Sequence, residues 1–419
     1  MNYARFLNKI SQARQPSPIR VLTAILQQSK PSMISMAGGM PNVRTFPIES
    51  ASLKLSDGTQ LEMDSELMKK ALQYTQTPGV PDLVNWVKGL QERVHNPPAQ
   101  GSGGENWDLL ITNGSQDGIC KSFEAMVSPG DKVLVETPSY PGTLAILKPM
   151  DCELIPVNSD KNGLDPSDLE RVMSQWAVSD CDIPKLLYLI PNGGNPTGHG
   201  LTEERKRKIY SIAQKYNLLI LEDDPYFYLQ FNEPYVPSFM SLDVDGRVLR
   251  FDSFSKLISS GMRVGSVTGP NPILDRIALH MQASVMHASC LSQMVLLQIL
   301  NEWGYEGFDQ HVEIVTEFYR QKKNICLKAA EKHLTGLAEW NEPSGGMFLW
   351  LKLNVKDTYE LITVKARERD VLFVPGNAFQ VDATQPCQYV RASYSLCSEE
   401  QMNTAFERLA GLIKEEQSS

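Results

Sequence analysis

Residues 108–269 alternate short apolar runs with helical patterns, and this alternation restricts the fold more than any other feature of the chain. The runs lack the polar residue at every second position that a half-exposed strand carries, so they predict strands buried on both faces. The predicted strands are 109–111, 133–135, 186–190, 218–221, 248–251 and 264–267. Strands that alternate with helices predict an α/β fold with a mostly parallel sheet.

Helix starts can be recognised between and beyond these runs. Asp165 precedes a proline at the first helical position, and Thr202 precedes two glutamates, which favour a helix N-terminus. Farther along, the pattern predicts two long helices over 273–303 and 308–334. The remainder predicts a smaller α+β unit with strands at 347–353, 371–374 and 389–394 and a helix over 399–414.

Composition excludes several classes of protein. The chain has 419 residues, of which 42% are hydrophobic and 21% charged, which is typical of globular proteins. Its net charge of −9 does not favour a nucleic acid or an anionic membrane as a partner, and no stretch of about 18 apolar residues predicts a transmembrane helix. The seven cysteines are widely spaced without a C-x-x-C pair, which predicts reduced thiols and no zinc site.

The N-terminal segment is basic. Glu49 is the single acid within residues 1–50, against six lysines and arginines. Such a segment is typical of a mitochondrial targeting sequence, and a basic arm docked on an acidic protein is the alternative. The first interpretation predicts the mitochondrial matrix, and the second leaves the cytoplasm open. The glycine-rich stretch 100–105 predicts a flexible surface loop, because no helix follows it in the register of a nucleotide-binding motif.

The segment 253–256, Ser-Phe-Ser-Lys, follows the predicted strand 248–251, and Arg263 comes shortly after it. It therefore lies at the C-terminal end of a strand, where open α/β sheets bind ligands. Arginine suits a phosphate because its planar fork donates two parallel hydrogen bonds. The segment favours a phosphorylated aldehyde that forms an imine with Lys256, its phosphate bound by two serines and Arg263. Taken alone, a loop lysine is more often a solvated surface residue.

Three acids, Glu222, Asp223 and Asp224, stand at the end of the predicted strand 218–221. A buried acid at a strand end is costly unless it meets a cation. A protonated pyridine nitrogen is such a cation, and a carboxylate partner keeps it protonated so that the ring acts as an electron sink. Asp223 is the predicted partner, and Tyr226 is placed to donate to a phenolic oxygen of the same ring. A solvated turn is the interpretation for Glu222 and Asp224.

Further polar and aromatic residues also stand near strand ends. Asn195 offers a donor and an acceptor, which suit a ring oxygen and a substrate carboxylate. Ser115 and Gln116 begin a predicted helix, whose backbone N–H groups suit a phosphate. Tyr140 can stack on a flat ring. Arg391 lies within a predicted strand, where an α-carboxylate explains the charge and a structural salt bridge is the alternative.

The order of these motifs along the chain resembles that in the fold type I pyridoxal-phosphate enzymes of the aminotransferase class I/II group. The lysine segment 253–256 and the Asn195-Pro196 pair are specific to the fold type. Residues 1–6 and 17–20 resemble the subfamily that acts on kynurenine and 2-aminoadipate. The resemblance runs nearly from end to end. It implies a large domain with a mostly parallel sheet and a smaller α+β domain.

The resemblance also implies a division of the chain and a role for single residues. It implies an N-terminal arm (1–48) that contributes to the substrate side and the small domain, a large cofactor-binding domain (49–309) and a small C-terminal domain (310–419). The implied catalytic residues are the Schiff-base Lys256, Asp223 and Tyr226. The implied binding residues for pyridoxal 5'-phosphate are Ser115, Gln116, Tyr140, Asn195, Asp223, Tyr226, Ser253, Ser255, Lys256 and Arg263. The implied substrate-binding residues are Arg20, Gly39, Tyr74, Tyr140, Asn195 and Arg391. The resemblance implies no metal.

The implied activity is transfer of an amino group from 2-aminoadipate, kynurenine or related amino acids to 2-oxoglutarate by a ping-pong Schiff-base mechanism. The implied assembly is a homodimer with shared active sites, in which Tyr74 reaches into the partner's site. Met40 and Met286 depart from the family pattern, which has leucine at these places. The lysine and aspartate motifs leave open a lyase of the same fold. A transcription regulator would need a basic N-terminal domain of about 70 residues, and the resemblance begins at Met1 instead.

Overall fold

A computed structural model of the chain describes all residues except 19–21, 23–24, 26–28, 31, 35, 37–38, 98–106, 178–181 and 419. Arg20 and the predicted loop 100–105 therefore lie outside the described residues. The chain divides into two compact units. Unit 1 comprises Met1–Ser128 and Asp243–Gln310, and unit 2 comprises Pro129–Leu242 and His311–Ser419. The predicted division at residues 48 and 309 stays a prediction.

The described strands and helices follow the predicted alternation. The strands are β1 (Ala51–Lys54), β2 (Gln60–Met63), β3 (Trp107–Thr112), β4 (Lys132–Thr137), β5 (Glu153–Asp160), β6 (Gly163–Leu164), β7 (Leu186–Leu189), β8 (Leu219–Asp223), β9 (Val248–Ser253), β10 (Gly265–Pro270), β11 (Ala338–Trp340), β12 (Phe348–Leu353), β13 (Val374–Pro375) and β14 (Tyr389–Ser393). The α-helices are α1 (Lys9–Ala13), α2 (Ser65–Ala71), α3 (Pro81–His95), α4 (Ser115–Met126), α5 (Pro141–Leu147), α6 (Pro166–Met173), α7 (Glu203–Tyr216), α8 (Phe239–Leu242), α9 (Asn271–Ser284), α10 (Cys290–Leu334), α11 (Ala366–Glu368) and α12 (Glu399–Ser418). α10 consists of two helices that meet at Gly304, whose backbone is not helical, and this break falls between the predicted helices 273–303 and 308–334. Short 3₁₀-helices lie at Tyr3–Phe6, Val43–Thr45, Lys148–Met150, Phe227–Leu229 and Gly376–Phe379, and a π-helix lies at Leu361–Lys365. Among the residues that the structure describes, no helix is both long and apolar enough to cross a membrane.

In unit 1, β10 lies between β3 and β9 and is antiparallel to both. All six residues of β10 are buried, and α4 and α9 pack on these strands. β1 and β2 form a separate antiparallel pair. The carboxyl end of β3 and the amino end of β10 therefore lie side by side, since Gly265 is paired with Thr112.

Unit 2 contains a parallel sheet and an antiparallel one. The parallel strands follow the order β8, β7, β4, β5, and β6 pairs antiparallel with the end of β5. Every residue of β7 and β8 is buried, which confirms the prediction that continuous apolar runs are covered on both faces. The antiparallel sheet follows the order β11, β12, β14, β13. Together they confirm the predicted α/β class with a mostly parallel sheet and a smaller α+β region.

Two predicted elements differ from the structure. The predicted helix 273–303 is interrupted between α9 and α10, because Met286 has a left-handed φ of 67° and the N–H groups of Val285 and Met286 both bond to the Met281 carbonyl oxygen. No glycine or proline signals this break. The predicted strand 371–374 is reduced to β13, whose second residue, Pro375, lacks a backbone N–H donor.

Candidate active site

The first candidate cluster lies in unit 1, where β3 leads into α4. The first N–H groups of a helix have no acceptor within the helix, so the start of α4 at Ser115 offers donors to an anion. Arg263 brings positive charge to the same place. Its Nη2 donates to the Asn113 carbonyl oxygen at 3.3 Å, and its Nη1 donates to Ser255 Oγ at 3.2 Å. We name Ser115, Ser255 and Arg263 the Arg263 cluster.

Close backbone approach fixes the Arg263 cluster. A Cβ atom on Gly265 would lie 2.6 Å from the backbone nitrogen of Ser115, and a Cβ atom on Gly114 would collide with the Arg263 guanidinium. Gly114 also has φ of +78°, which favours glycine. Arg263 has φ of 53°, and a left-handed conformation costs a non-glycine residue about 1–3 kcal/mol. Strain of this kind concentrates at ligand-binding sites.

Lys256 follows directly after β9 in a tight turn. The turn is closed by the Ile258 N–H, which donates to the Phe254 carbonyl oxygen at 2.9 Å, and the Phe254 N–H donates to the carbonyl oxygen of Val264 at 3.1 Å. The Ser253 hydroxyl accepts the N–H of Ser255 at 3.2 Å. Lys256 is therefore half-buried at a strand end on a turn that is held from both sides.

The second candidate cluster lies in unit 2 around Asp223, the last residue of β8. Asp223 is only 3% exposed, and its Oδ2 accepts the hydroxyl hydrogen of Tyr188 at an O–O distance of 2.6 Å. Burial, and then the charge of Asp223, raise the pKa of Tyr226, which is also buried. Tyr140 directly precedes α5, and its ring lies over Gly142, where an added Cβ atom would be 2.5 Å from the ring. We name Tyr140, Tyr188, Asp223 and Tyr226 the Asp223 cluster.

The acids on either side of Asp223 are buried, so the prediction of a solvated turn is wrong. Glu222 accepts the N–H groups of Phe239 and Met240 at 2.7 and 3.2 Å, at the start of α8. Asp224 accepts the side-chain amide of Asn192, with distances of 3.0 and 2.9 Å to its two oxygens. These bonds hold the end of β8 in place from two other segments of unit 2.

Arg391 lies in β14, and its guanidinium is 4.3 Å from the centroid of Phe348 and 5.2 Å from that of Phe379. Its Nη1 donates to Asn195 Oδ1 at 2.8 Å. Burial lowers the pKa of the guanidinium, and its buried Nε has no hydrogen-bond partner within the described part of the chain. No described acid pairs with it, which argues against a structural salt bridge. A half-buried cation with an unused donor suits a carboxylate.

Three further predicted residues are described but belong to neither cluster, and a fourth is not described. Gln116 is half-buried in the first turn of α4. Gly39 is exposed and has no atom within 4 Å of a Cβ placed on it. Tyr74 is 48% exposed and meets the ring of His287 edge-on at 6.0 Å. Arg20 lies outside the described residues. The roles of these four residues, like those of the residues in the two clusters and of Arg391, stay predictions.

Sequence reasoning missed Tyr188, Asn192 and Phe348. Tyr188 lies within the apolar run that predicts β7, so the sequence predicts a core residue at this position. Phe348 likewise belongs to an apolar strand, β12. Asn192 lies in a loop that predicted only a turn. Their contacts depend on partners from distant segments, which no local pattern shows. Within the described ranges, no group of three or more histidine, cysteine, aspartate or glutamate side chains could hold a metal ion.

The model of the aminotransferase class I and II family matches residues 48–409 of this chain. The chain belongs to that family. It is 48% identical to the mitochondrial kynurenine/alpha-aminoadipate aminotransferase of Bos taurus over 99% of this chain and 100% of that protein. These findings confirm the family that the lysine and Asn-Pro motifs resemble.

Solved aminotransferase structures share the fold over the whole chain. Aminotransferase Aro8 from Candida albicans has a TM-score of 0.88 at 26% identity and covers 100% of this chain and 99% of its own. A Pyrococcus horikoshii kynurenine aminotransferase, solved in complex with PMP and KYN as substrates and KYA as products, has a TM-score of 0.78 at 26% identity, with 100% and 99% covered. The predicted aminotransferase fold is thereby confirmed.

Proposed function

We propose that this aminotransferase moves the amino group of 2-aminoadipate, kynurenine or a related amino acid to 2-oxoglutarate, with pyridoxal 5'-phosphate as cofactor. The observation that carries the proposal is the environment of Arg391. A half-buried guanidinium, held by Asn195 and two aromatic rings, has an unused donor and no acidic partner among the described residues. Both donor and acceptor substrates carry an α-carboxylate that such a group binds.

The residues of both clusters fit pyridoxal phosphate. The Arg263 cluster combines a guanidinium, a hydroxyl and a helix N-terminus, which is the donor set that a phosphate prefers. In the Asp223 cluster, a buried carboxylate suits a protonated pyridine nitrogen, because that cation offsets the cost of burying the charge. Tyr140, whose ring lies over Gly142, suits stacking on a flat ring.

When bound, the cofactor supplies an aldehyde that takes up the amino group and a ring that accepts electrons. Lys256 would hold the aldehyde carbon through its Nζ atom. An incoming amino acid would release Lys256 from the cofactor. The free side-chain amine of Lys256 would then move the α-proton of that amino acid as a general acid–base. Asp223 would keep the ring nitrogen protonated, and Tyr226 would donate a hydrogen bond to the ring oxygen. Arg391 would orient each substrate through its carboxylate.

Reaction products test this proposal most directly. We expect purified protein supplied with pyridoxal phosphate, 2-oxoglutarate and either 2-aminoadipate or kynurenine to form one glutamate for each donor consumed. Stoichiometric glutamate separates amino transfer from the chemistry of a lyase on the same fold, which releases other products without consuming 2-oxoglutarate. A panel of donors that includes methionine and aromatic amino acids ranks the substrates. Donor consumption without glutamate would contradict the proposal.

Replacement of Arg391 by glutamine is expected to weaken substrate binding. Loss of one partner of a partly buried charge pair costs about 2–5 kcal/mol, so KM should rise by roughly 30-fold to several thousand-fold for both donor and acceptor. We expect a smaller change in kcat, because the carboxylate contact is made before and during reaction. Steady-state kinetics with the donor and with 2-oxoglutarate measure both constants.

Lys352 provides the matched control for this substitution. It lies on β12, the strand paired with β14, and it forms an ion pair with Glu339 at 3.8 Å. Lys352→Gln removes the same charge from the same sheet and should leave KM unchanged. Equal effects of the two substitutions would show that Arg391 acts through the net charge of the sheet, and the carboxylate role would be wrong.

We also propose a homodimer and a mitochondrial location. The 48% exposure of the Tyr74 side chain supports a contact outside its own chain, as the family resemblance implies. The Bos taurus relative is named as mitochondrial, and the acid-poor N-terminal segment fits such a location. No membrane partner and no nucleic-acid partner are proposed.

A further inference from the structure

The phenol of Tyr188 lies against the carboxylate of Asp223. Tyr188 lies in β7 opposite Leu221 of β8, so it shares a face of the parallel sheet with Leu221 and Asp223. Its hydroxyl lies 2.6 Å from Asp223 Oδ2, and the two side chains are 1% and 3% exposed. A short bond between a phenol and a carboxylate, both shielded from water, is among the stronger hydrogen bonds in proteins.

The direction of this bond follows from the charges around it. Burial, as the larger cause, and the charge of Asp223 raise the pKa of Tyr188 well above its usual range. The phenol therefore keeps its proton and donates, and the carboxylate accepts. Besides Asp223, the phenol of Tyr140 acts on Tyr188. Tyr140, Arg391 and Tyr319 act on the neighbouring phenol of Tyr226. Burial also raises the pKa of Tyr226, so it too stays neutral.

We propose that Tyr188 is a positioning residue for the amino-transfer reaction: its hydroxyl orients the Asp223 carboxylate and keeps it ionised opposite the pyridine nitrogen of the cofactor. The inference rests on the proposed function, which assigns that nitrogen to Asp223. A hydrogen bond to the charged form of a buried acid favours that form. A donor behind a functional carboxylate also fixes its rotamer, as partners behind metal ligands do.

The proposal gives Tyr188→Phe a definite signature. The ring is kept, so packing changes little, but the carboxylate loses a donor and remains buried. The free energy of a hydrogen bond to a charged group corresponds to about a tenfold change or more in an equilibrium or rate constant. We therefore expect kcat and the affinity for pyridoxal phosphate each to fall about tenfold or more. Protonation of Asp223 becomes easier, so the acid limb of kcat/KM should move to higher pH by about one unit. KM for the amino donor should change little.

The experiment compares the parent enzyme with Tyr188→Phe and Tyr216→Phe. Tyr216 provides a matched control, because its hydroxyl donates to a different carboxylate, Glu170 Oε1, at 2.9 Å in the same unit. The apo-forms are titrated with pyridoxal phosphate, and the visible absorption of the bound cofactor is followed from acid to alkaline pH beside the kinetics. We expect the shifted absorption titration and weaker binding in Tyr188→Phe alone, with Tyr216→Phe like the parent.

A second substitution tunes the bond without removing it. Site-specific Tyr188→3-fluorotyrosine keeps nearly the same size and makes the hydroxyl a stronger donor, so the acid limb should move to lower pH, opposite to Tyr188→Phe. This measurement serves also if Tyr188→Phe folds poorly. An acid limb and absorption titration that stay at the parent's position in both variants would overturn the inference. A parent protein that binds no pyridoxal phosphate would instead overturn the proposed function.

Discussion

Replacement of Lys256 by alanine is expected to abolish nearly all turnover. Proton transfer by a positioned side chain contributes about 10²–10⁴-fold to rate, and this variant loses the covalent attachment of the cofactor as well. We therefore expect kcat to fall by roughly 10⁴-fold or more. The fold should persist, because Lys256 is only half-buried and lies in a turn whose backbone bonds belong to its neighbours.

Mass spectrometry separates loss of attachment from loss of structure. Borohydride treatment of the parent enzyme with pyridoxal phosphate should fix the mass of the cofactor on the peptide that contains Lys256, and on no other. Lys208→Ala is a suitable control, since Lys208 is an exposed lysine paired with Glu204 at 2.8 Å. It should retain both labelling and activity. Normal turnover of Lys256→Ala would remove the basis of the proposed mechanism.

Asp223→Asn is expected to lower kcat far more than it changes KM. The substitution keeps the shape of the side chain and removes the charge that would hold the ring nitrogen protonated. Loss of one electrostatic stabiliser of a transition state typically costs on the order of 10²–10³-fold in kcat. An effect confined to the transition state leaves substrate binding nearly unchanged.

Asp160→Asn is the matched control for Asp223→Asn. Asp160 also ends a strand, β5, but its carboxylate pairs with Arg205 at 2.5 Å on the surface. Its amide variant should keep the parent's kcat. Thermal melting of both variants shows whether stability accounts for any loss. If Asp223→Asn retained kcat and altered only KM or stability, Asp223 would be a structural residue of the strand end.

The sequence predicts the elements of this fold where a local signal is strong. Asp165 and Thr202 accept backbone N–H groups of their own helices at 2.9 and 3.3 Å, as their positions before a helical pattern indicate. The sequence does not predict β5, because most of its residues are partly or fully exposed and it contains Pro156, so no continuous apolar run marks it. Local patterns thus predict buried strands well and exposed strands poorly.

For the site, the sequence predicts the chemically distinctive groups and not their supports. Asp223 and Arg391 are charges in places where a strand should be apolar, and this anomaly singled them out. The segment of Glu222 and Asp224 predicts a solvated turn, because nothing in it shows that α8 and Asn192 supply donors. Tyr188 was hidden by its resemblance to a core residue. Such supporting contacts join distant segments and become visible only in three dimensions.

The close approach of Gly265 to the start of α4 limits how this enzyme can vary. Its φ is ordinary, so a substitution matrix would treat alanine there as a mild change. A single added methyl group would nevertheless meet three backbone atoms, those of Ser115, Asp252 and Gly114, at 2.6–2.8 Å, and none of them belongs to a side chain that can rotate away. Natural variants and engineered libraries alike will therefore keep glycine at 265, however freely the exposed positions of the same chain change.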